Sequence, residues 1–461
     1  MTRCTILLAT FALLVIPAQA GMQQTSIVHW CGTLEIAKGG GHRGPWQQNE
    51  SRYDYVDDPT VALDAGGGAT VAWVDQRRKD VLFQIYDRNG APRLEQPVNV
   101  SRTPQVFSWL PRIALSQRHP RDIYILWQEI VFSGGSHGGD IFFARSGDGG
   151  ATFGKSVNLS NSTGGDGKGR INRDIWHNGS LDIAVAADGT IYAAWTEYEG
   201  ALWLSRSSDR GASFSKPLQL NSGAAKPARA PALAVSRAPL APRQRGEGQA
   251  ERHAIYLAWP VGEDDRADIH IAGSSDGGRT LSAPRIVAQT PGYSDAPKIA
   301  VDGKGVLHLV YAESAAGPFD RYHVRYTRSR DGGRSFEAVR DISAVRPEPV
   351  EGRAASAGFP ALSIGTSGDV YVLWETYTDH RQPPRGLAFA RSRDGGSTFS
   401  APVIVPGSAD ANGGFNGSQQ GLLMRKLDVR GDDIAIVNSS FRPRAGSRVW
   451  LMRGASNDCR P

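Results

Sequence analysis

The stretch PALSIGTSGDVYVLWE (360–375), followed by SRDGGSTF (392–399), decides the fold. Its first part holds two short runs rich in apolar and β-branched residues around a Gly/Asp turn, which predicts two antiparallel strands. Its second part has the residues of a tight hairpin turn, since Asp accepts bonds from backbone N–H groups and Gly adopts positive φ. The stretch therefore predicts a small antiparallel sheet.

Both phrases recur along the chain. The strand pair occurs seven times at a mean spacing of about 61 residues, and the copies carry in register Trp73, Trp127, Trp195, Trp259, Tyr311, Trp374 and Asn438. The aspartate turn occurs five times, at 146–153, 207–214, 274–281, 329–336 and 392–399. A repeated unit of four strands is typical of a β-propeller blade. We predict an all-β propeller of four-stranded antiparallel blades over residues 59–456, with seven blades favoured and six as the alternative, and expect the recurring aromatics to pack the blades.

The composition agrees with this fold and excludes other classes. Glycine contributes 54 of 461 residues without a Gly-X-Y period, and 40% of the residues are hydrophobic, which excludes collagen and disorder. The formal net charge is only +6. The Arg-rich insertion at 237–253 is interpreted as a solvated loop rather than a nucleic-acid patch, so we expect no nucleic-acid partner.

Residues 1–20 have the pattern of a secretory signal peptide. One positive charge precedes the apolar run TILLATFALLVI (5–16), and Ala18 and Ala20 form an A-x-A cleavage site. An uncleaved membrane anchor is the alternative. We expect a secreted or periplasmic protein with no membrane span after removal of the signal.

Two cysteines remain beyond this segment, Cys31 and Cys459. In an oxidising compartment they are expected to pair, although two free thiols are the alternative. The seventh repeat lacks an outer strand, and we expect the N-terminal segment 21–58 to supply it, with TSIVHW (25–30) as the candidate. A ring closed in this way brings the two cysteines together.

The five aspartate turns within a propeller repeat resemble the sialidase (neuraminidase) superfamily, whose BNR or Asp-box repeats have this form. The resemblance covers about residues 59–454. It implies a glycan or glycoconjugate partner, three arginines that grip a carboxylate, an Asp acid/base and a Tyr–Glu nucleophile pair. The early Phe/Tyr-Arg-Ile-Pro signature is absent, so the arginines are not assigned. The hypothesis is an exported, sialidase-like propeller acting on glycans as an exo-glycosidase; the alternative is a non-catalytic glycan- or protein-binding propeller.

The chain direction locates the candidate site on the face where the loops entering each first strand meet the loops leaving each second strand. Carboxylates recur there and suit an acid and a base or nucleophile, or a hard cation, or simply solvated loop starts that pair with nearby arginines. The catalytic candidates are Glu375, Tyr377, Glu197, Asp57 and Asp58. The substrate-binding candidates are Asp75, Arg77, Glu129, Arg173, Trp176, Glu313 and Arg381. Tyr53, Tyr55, Trp109, Trp176 and Tyr377 are expected to be exposed sugar-stacking aromatics, or else to pack between blades. The motifs indicate no cofactor and no metal-ligand set.

Overall fold

The computed structural model describes residues 28–131, 139–172, 174–236, 253–318, 320–344, 355–417, 419 and 425–459. The predicted signal peptide and nearly all of the insertion at 237–253 lie outside these residues. Within them the regular secondary structure consists of strands, together with a short 3-10 turn at Gly223–Ala225.

Seven antiparallel sheets form the blades, each with four strands in chain order from the axis outwards, except the last. The first described strand, β1, spans His29–Gly39. Blade one comprises β2 (Val56–Leu63), β3 (Ala69–Asp75), β4 (Asp80–Tyr86) and β5 (Val98–Asn99), and blade two comprises β6 (Ser108–Leu115), β7 (Ile123–Glu129), β8 (Asp140–Ser146) and β9 (Val157–Asn158). A separate hairpin of β10 (Lys168–Asn172) and β11 (Ile175–Asn178) follows. Blade three comprises β12 (Leu181–Val185), β13 (Ile191–Thr196), β14 (Leu202–Ser207) and β15 (Leu218–Gln219).

Blades four to seven continue the same order. Blade four comprises β16 (Ala232–Val235), β17 (Ile255–Val261), β18 (Asp268–Ser274) and β19 (Arg285–Ile286), and blade five comprises β20 (Tyr293–Val301), β21 (Leu307–Ser314), β22 (Tyr322–Ser329) and β23 (Arg340–Asp341). Blade six comprises β24 (Ser356–Ile364), β25 (Val370–Tyr377), β26 (Leu387–Ser392) and β27 (Val403–Ile404). Blade seven contains β28 (Phe415–Asn416), β29 (Leu427–Arg430), β30 (Asp433–Arg442) and β31 (Gly446–Ala455). The all-β propeller and the favoured count of seven blades are confirmed.

The two ends of the chain meet in blade seven. The outer strand of this blade is β1, which pairs antiparallel with β31 from His29↔Ala455 to Gly39↔Ser447. The strand therefore begins inside the candidate 25–30 but continues well beyond it, and residues 25–27 fall outside the described residues. The expected disulfide between Cys31 and Cys459 is present, and the innermost strands β2 and β29 are in contact. Both chain ends thus close the ring.

Each aspartate turn is a hairpin held by its own side chains. In the turn after β18, the Asp276 carboxylate accepts bonds from the Ser274 Oγ at 2.7 Å and the Thr280 backbone N–H at 3.0 Å. The aromatic residue that ends a hairpin packs on the preceding blade, as Phe153 does on Phe83 with ring centroids 5.0 Å apart. The hairpins therefore fasten neighbouring blades together, away from the candidate site.

Four of the inner strands begin with a bulge at a proline. The ladder register shifts around Pro59, Pro111, Pro297 and Pro360. A proline has no N–H to give to a ladder, so it is tolerated at such a bulge. The preceding residue takes positive φ, for example 52° at Asp58 and 51° at Ala296. Each of these four inner strands therefore bends where it enters its blade.

Candidate functional site

The central channel has one end where the loops entering the inner strands and leaving the second strands meet, and we call this end the upper mouth. Two additions cover part of it. The β10–β11 hairpin reaches across blade four, because Arg170 forms an ion pair with Glu263 and the Ile171 carbonyl accepts the Asp264 N–H at 3.2 Å. The segment 40–55 lies over blades one and two.

The residue after each proline bulge and its counterparts in the other blades form a layer inside the channel. We call it the inner layer, and four of its seven members are charged. Its members are Thr60, Arg112, Asp182, Ala232, Lys298, Ala361 and Lys426. Burial lowers the pKa of Arg112 to about 10 and that of Lys298 to about 8, and the Asp182 carboxylate opposes both changes. Opposite charges from different blades thus meet at the axis.

Arg425 crosses the channel at the level of this layer. From blade seven its guanidinium reaches blades two and three, donating to the Ile113 carbonyl at 3.2 Å, the Ile183 carbonyl at 2.9 Å and the Asp182 carboxylate at 2.7 Å. Below it a cavity of about 390 Å³ opens towards the opposite face. One small or acidic residue per blade lines this cavity in register: Ala62, Ala114, Ala184, Ala234, Ala300, Ser363 and Asp428. The Arg425 guanidinium therefore stands between the upper mouth and the lower cavity.

Glu375 is the predicted second-strand carboxylate that reaches the axis. It is fully buried on β25 and forms an ion pair with the buried Lys426. Burial lowers the pKa of Lys426 to about 7, and the nearby Asp57 opposes this shift. Asp57 accepts a bond from the Ser439 Oγ at 2.8 Å and another from the backbone N–H of Gln419. Blades one, six and seven thereby bring two carboxylates to one ammonium group.

The alternation of side chains along a strand explains why Glu375, unlike the other second-strand carboxylates, reaches the axis. It directly follows Trp374, whereas the other carboxylates stand two residues after their aromatic and so project from the same face as that ring. Glu129 accepts the Trp127 indole N–H at 3.0 Å and the Thr103 hydroxyl at 2.7 Å. Glu313 pairs with Arg325 at 3.1 Å on its own blade.

The remaining candidates lie apart from the Glu375–Lys426 pair. The Asp75 carboxylate accepts the Arg78 N–H at 3.1 Å within its own turn. Burial raises the pKa of Glu197, on blade three, above its usual range. Arg77 and Arg381 are exposed on their loops, whereas Asp58 is fully buried. Arg173 lies outside the described residues, and of Trp176 only the backbone, in β11, is described.

For four of the five candidate mouth aromatics, exposure is not observed and the alternative, packing inside the protein, holds. Tyr53, Tyr55, Trp109 and Tyr377 are buried; Tyr53 packs on Tyr55 within the segment 40–55, and Trp46 of the same segment packs on Trp109. Tyr377 nevertheless shares a strand face with Glu375, since the two stand two residues apart on β25. Burial raises the pKa of its phenol, which keeps the group neutral. The recurring blade aromatics are buried, as predicted.

A second buried ion pair supports the mouth at blade five. Arg229 donates to the Asp295 carboxylate at 3.3 Å and stacks over the Tyr293 ring at 4.8 Å. Tyr293 also packs with Tyr322 and with Ile171 of the β10–β11 hairpin. This contact network holds the hairpin against the blade.

Between blades two and three lies a buried carboxylate that the sequence did not single out. Asp166 is buried, and its backbone carbonyl accepts the Gln128 amide at 2.6 Å. Burial raises the pKa of its carboxyl group to about 8, and nearby Glu197 and Asp140 act in the same direction. Among the described residues, no group of three His, Cys, Asp or Glu side chains is arranged to hold a metal ion.

Sequence reasoning missed the cations of the axis. Arg112, Lys298 and Lys426 all occupy the same position of the repeat, within PRIAL (111–115), PKIAV (297–301) and RKLDV (425–429). A charged side chain inside an otherwise apolar inner strand was the available signal, because such a group is costly to bury without a partner.

No protein-family profile matches the chain, and neither does any curated protein. Solved structures do resemble it. The polysaccharide lyase Uly1 is 10% identical with a TM-score of 0.51, over 93% of this chain and 100% of that one. An ulvan lyase from a new family of polysaccharide lyases is 13% identical with a TM-score of 0.50, over 91% and 95% of the two chains. A Hadza microbial sialidase is 15% identical with a TM-score of 0.40, over 84% and 74%. At such identities, the two lyases show the shared propeller fold alone.

Proposed function

We propose that this propeller cleaves glycans at the upper mouth, with Glu375 and Tyr377 of β25 and Asp57 of blade one at the reaction centre. The observation that carries the proposal is the meeting of Glu375, Lys426 and Asp57 at the axis. Glycoside cleavage needs one group that donates a proton and another that accepts one or attacks the sugar.

The roles follow from the environments of these groups. Glu375 and Tyr377 project from one strand face and correspond in type to the Tyr–Glu nucleophile pair of the sialidase superfamily. Lys426 lies between these two carboxylates, and burial lowers its pKa, so it suits the adjustment of charge between Glu375 and Asp57. Asp57, held by Ser439 and Gln419, serves as the acid/base. The polysaccharide lyases that share the fold add ulvan to the substrates worth testing.

A non-catalytic glycan-binding propeller is the second candidate. The observation in its favour is the full burial of Glu375, whose charge is already paired with Lys426. In this case the axis cluster holds the blades together, and only the exposed rim of the mouth contacts ligand. In a variant of this second candidate, the upper mouth binds a protein instead of a glycan.

The disulfide fits an oxidising compartment, and we infer export. Among the described residues no helix has the length and apolar character needed to cross a membrane.

The test is turnover by the purified protein on fluorogenic sialosides and arabinofuranosides and on ulvan, with reducing ends and unsaturated products as readouts. Glu375→Gln and Tyr377→Phe are expected to lower kcat about 100-fold or more on the best substrate. Glu337→Gln, the same change beside the aspartate turn of blade five and away from the mouth, is the matched control and is expected to stay within about threefold. Binding without turnover by the unaltered protein would favour the non-catalytic candidate. If the unaltered protein neither binds nor cleaves any of these glycans, both candidate functions are rejected.

A further inference from the structure

An exposed indole stands on the rim of the upper mouth. Trp46 is 41% exposed, and within the described part of the chain it is the one aromatic among the large exposed apolar side chains. Three buried aromatics support it: its ring centroid lies 5.1 Å from that of Trp109, 6.0 Å from Phe107 and 6.4 Å from Tyr53. The indole is therefore held in place from beneath and open to solvent above.

The backbone around Trp46 is anchored to blades one and two. The Asn49 side chain donates to the Ile130 carbonyl at 2.8 Å and accepts the Phe107 N–H at 3.0 Å. The Lys79 ammonium bonds the Asn49 carbonyl at 2.5 Å. Such anchoring lowers the conformational entropy that a ligand must remove on binding, because the platform is already ordered.

Polar groups connect this platform to the axis. Arg43, three residues before Trp46, is exposed and contacts the Gln419 side chain at 3.4 Å. The backbone N–H of Gln419 in turn bonds the Asp57 carboxylate. A path of stacking surface and polar groups thus runs from Trp46 over Arg43 to the proposed reaction centre.

We propose that Trp46 is an outer sugar-binding subsite, so that the ligand is an oligosaccharide or polysaccharide rather than a single sugar. The ring face of an indole packs against sugar C–H groups, while hydroxyls find partners among polar neighbours such as Arg43. One indole among polar side chains presents too small an apolar area for a stable protein interface, which favours a sugar ring as the occupant. This inference rests on the proposed function and specifies the substrate length.

The experiment is affinity electrophoresis through gels that contain ulvan, arabinan or polysialic acid, each with the unaltered protein, Trp46→Ala and Trp46→Phe. For the polymer that retards the unaltered protein, Trp46→Ala should bind roughly three- to tenfold more weakly, and Trp46→Phe should lie between the two. Ile404→Ala, an exposed apolar residue on the outer strand of blade six, should change nothing. Monosaccharide competitors should displace all the proteins equally, whereas tetrasaccharides should discriminate.

Equal retardation of Trp46→Ala and the unaltered protein would overturn the subsite while leaving the proposed function intact. If none of the polymers retards the unaltered protein and none is cleaved, the proposed function itself fails. Thermal unfolding of each variant checks the fold, and Trp46→Phe carries the comparison if Trp46→Ala unfolds.

Discussion

At the scale of single residues, a one-residue difference in position separates Glu375 from the other second-strand carboxylates. Because side chains alternate along a strand, Glu375 reaches Lys426 at the axis, while Glu129 and Glu313 stay with partners on their own blades. The sequence places Glu375 directly after Trp374, so this difference was predictable. The pairing with Lys426 was not, because it depends on how blades six and seven meet at the axis.

Asp166 provides a prediction about pH. Its folded-state pKa of about 8 exceeds the unfolded value of 3.8, so between these values the folded protein holds a proton that the unfolded chain has released. The contribution of this group to stability is therefore present in acid and is lost as pH rises from about 4 to 8. Asp166→Asn, which mimics the protonated acid, should raise the free energy of unfolding at pH 8 by roughly 2–5 kcal/mol and change it little at pH 4.

Urea unfolding of both proteins at the two pH values measures this difference. The exposed Asp265→Asn is the control and should follow the unaltered protein at both. Parallel pH dependence of Asp166→Asn and the unaltered protein would contradict the assignment of a raised pKa to this carboxyl group.

At the scale of elements, the aspartate hairpins were the most predictable part of the fold. Their residue types define the turn locally, and the structure shows the expected bonds at Asp276 and the packing of Phe153 on the preceding blade. The β10–β11 hairpin was not predictable, because its placement depends on contacts with distant residues such as Glu263. Local sequence determines a turn, whereas the covering of the mouth is set by tertiary contacts.

Asp276→Ala tests what one such hairpin contributes. Burial disfavours its charge, but bonds from Thr280 and Ser274 outweigh this effect and lower the pKa of Asp276 to about 2. Loss of these bonds should reduce the free energy of unfolding by about 1–3 kcal/mol at pH 7. The difference should shrink as pH falls from about 4 to 2, where the carboxylate of the unaltered protein is protonated.

Thermal and urea unfolding of Asp276→Ala and of the unaltered protein measure this difference in the free energy of unfolding. In a double-mutant cycle, Thr280→Ala should cost less in the Asp276→Ala background than in the unaltered protein. Additive effects would show that the Thr280 side chain acts independently of the carboxylate.

At the scale of the whole molecule, ring closure depends on pairing between β1 and β31 and on the disulfide between Cys31 and Cys459. The repeat spacing predicted the ring, and the two cysteines predicted where it closes. The exact strand, His29–Gly39, was less predictable, since several apolar runs in the segment 21–58 could complete a blade.

The double variant Cys31→Ser/Cys459→Ser should be less stable than the unaltered protein by up to about 5 kcal/mol, because the cross-link restricts nearly the whole unfolded chain. Calorimetry under non-reducing conditions gives the comparison. Reductant should lower the unfolding temperature of the unaltered protein and leave that of the variant unchanged. An unaltered midpoint in the variant would mean that strand pairing alone closes the ring.

Arg425 has a consequence for the rigidity of the ring. Its guanidinium spans from blade seven to Asp182 and the carbonyls of blades two and three. Blade seven has no sheet edge in common with either of those blades, so these bonds brace the ring across its diameter. A change in the width of the ring at this level would have to break them.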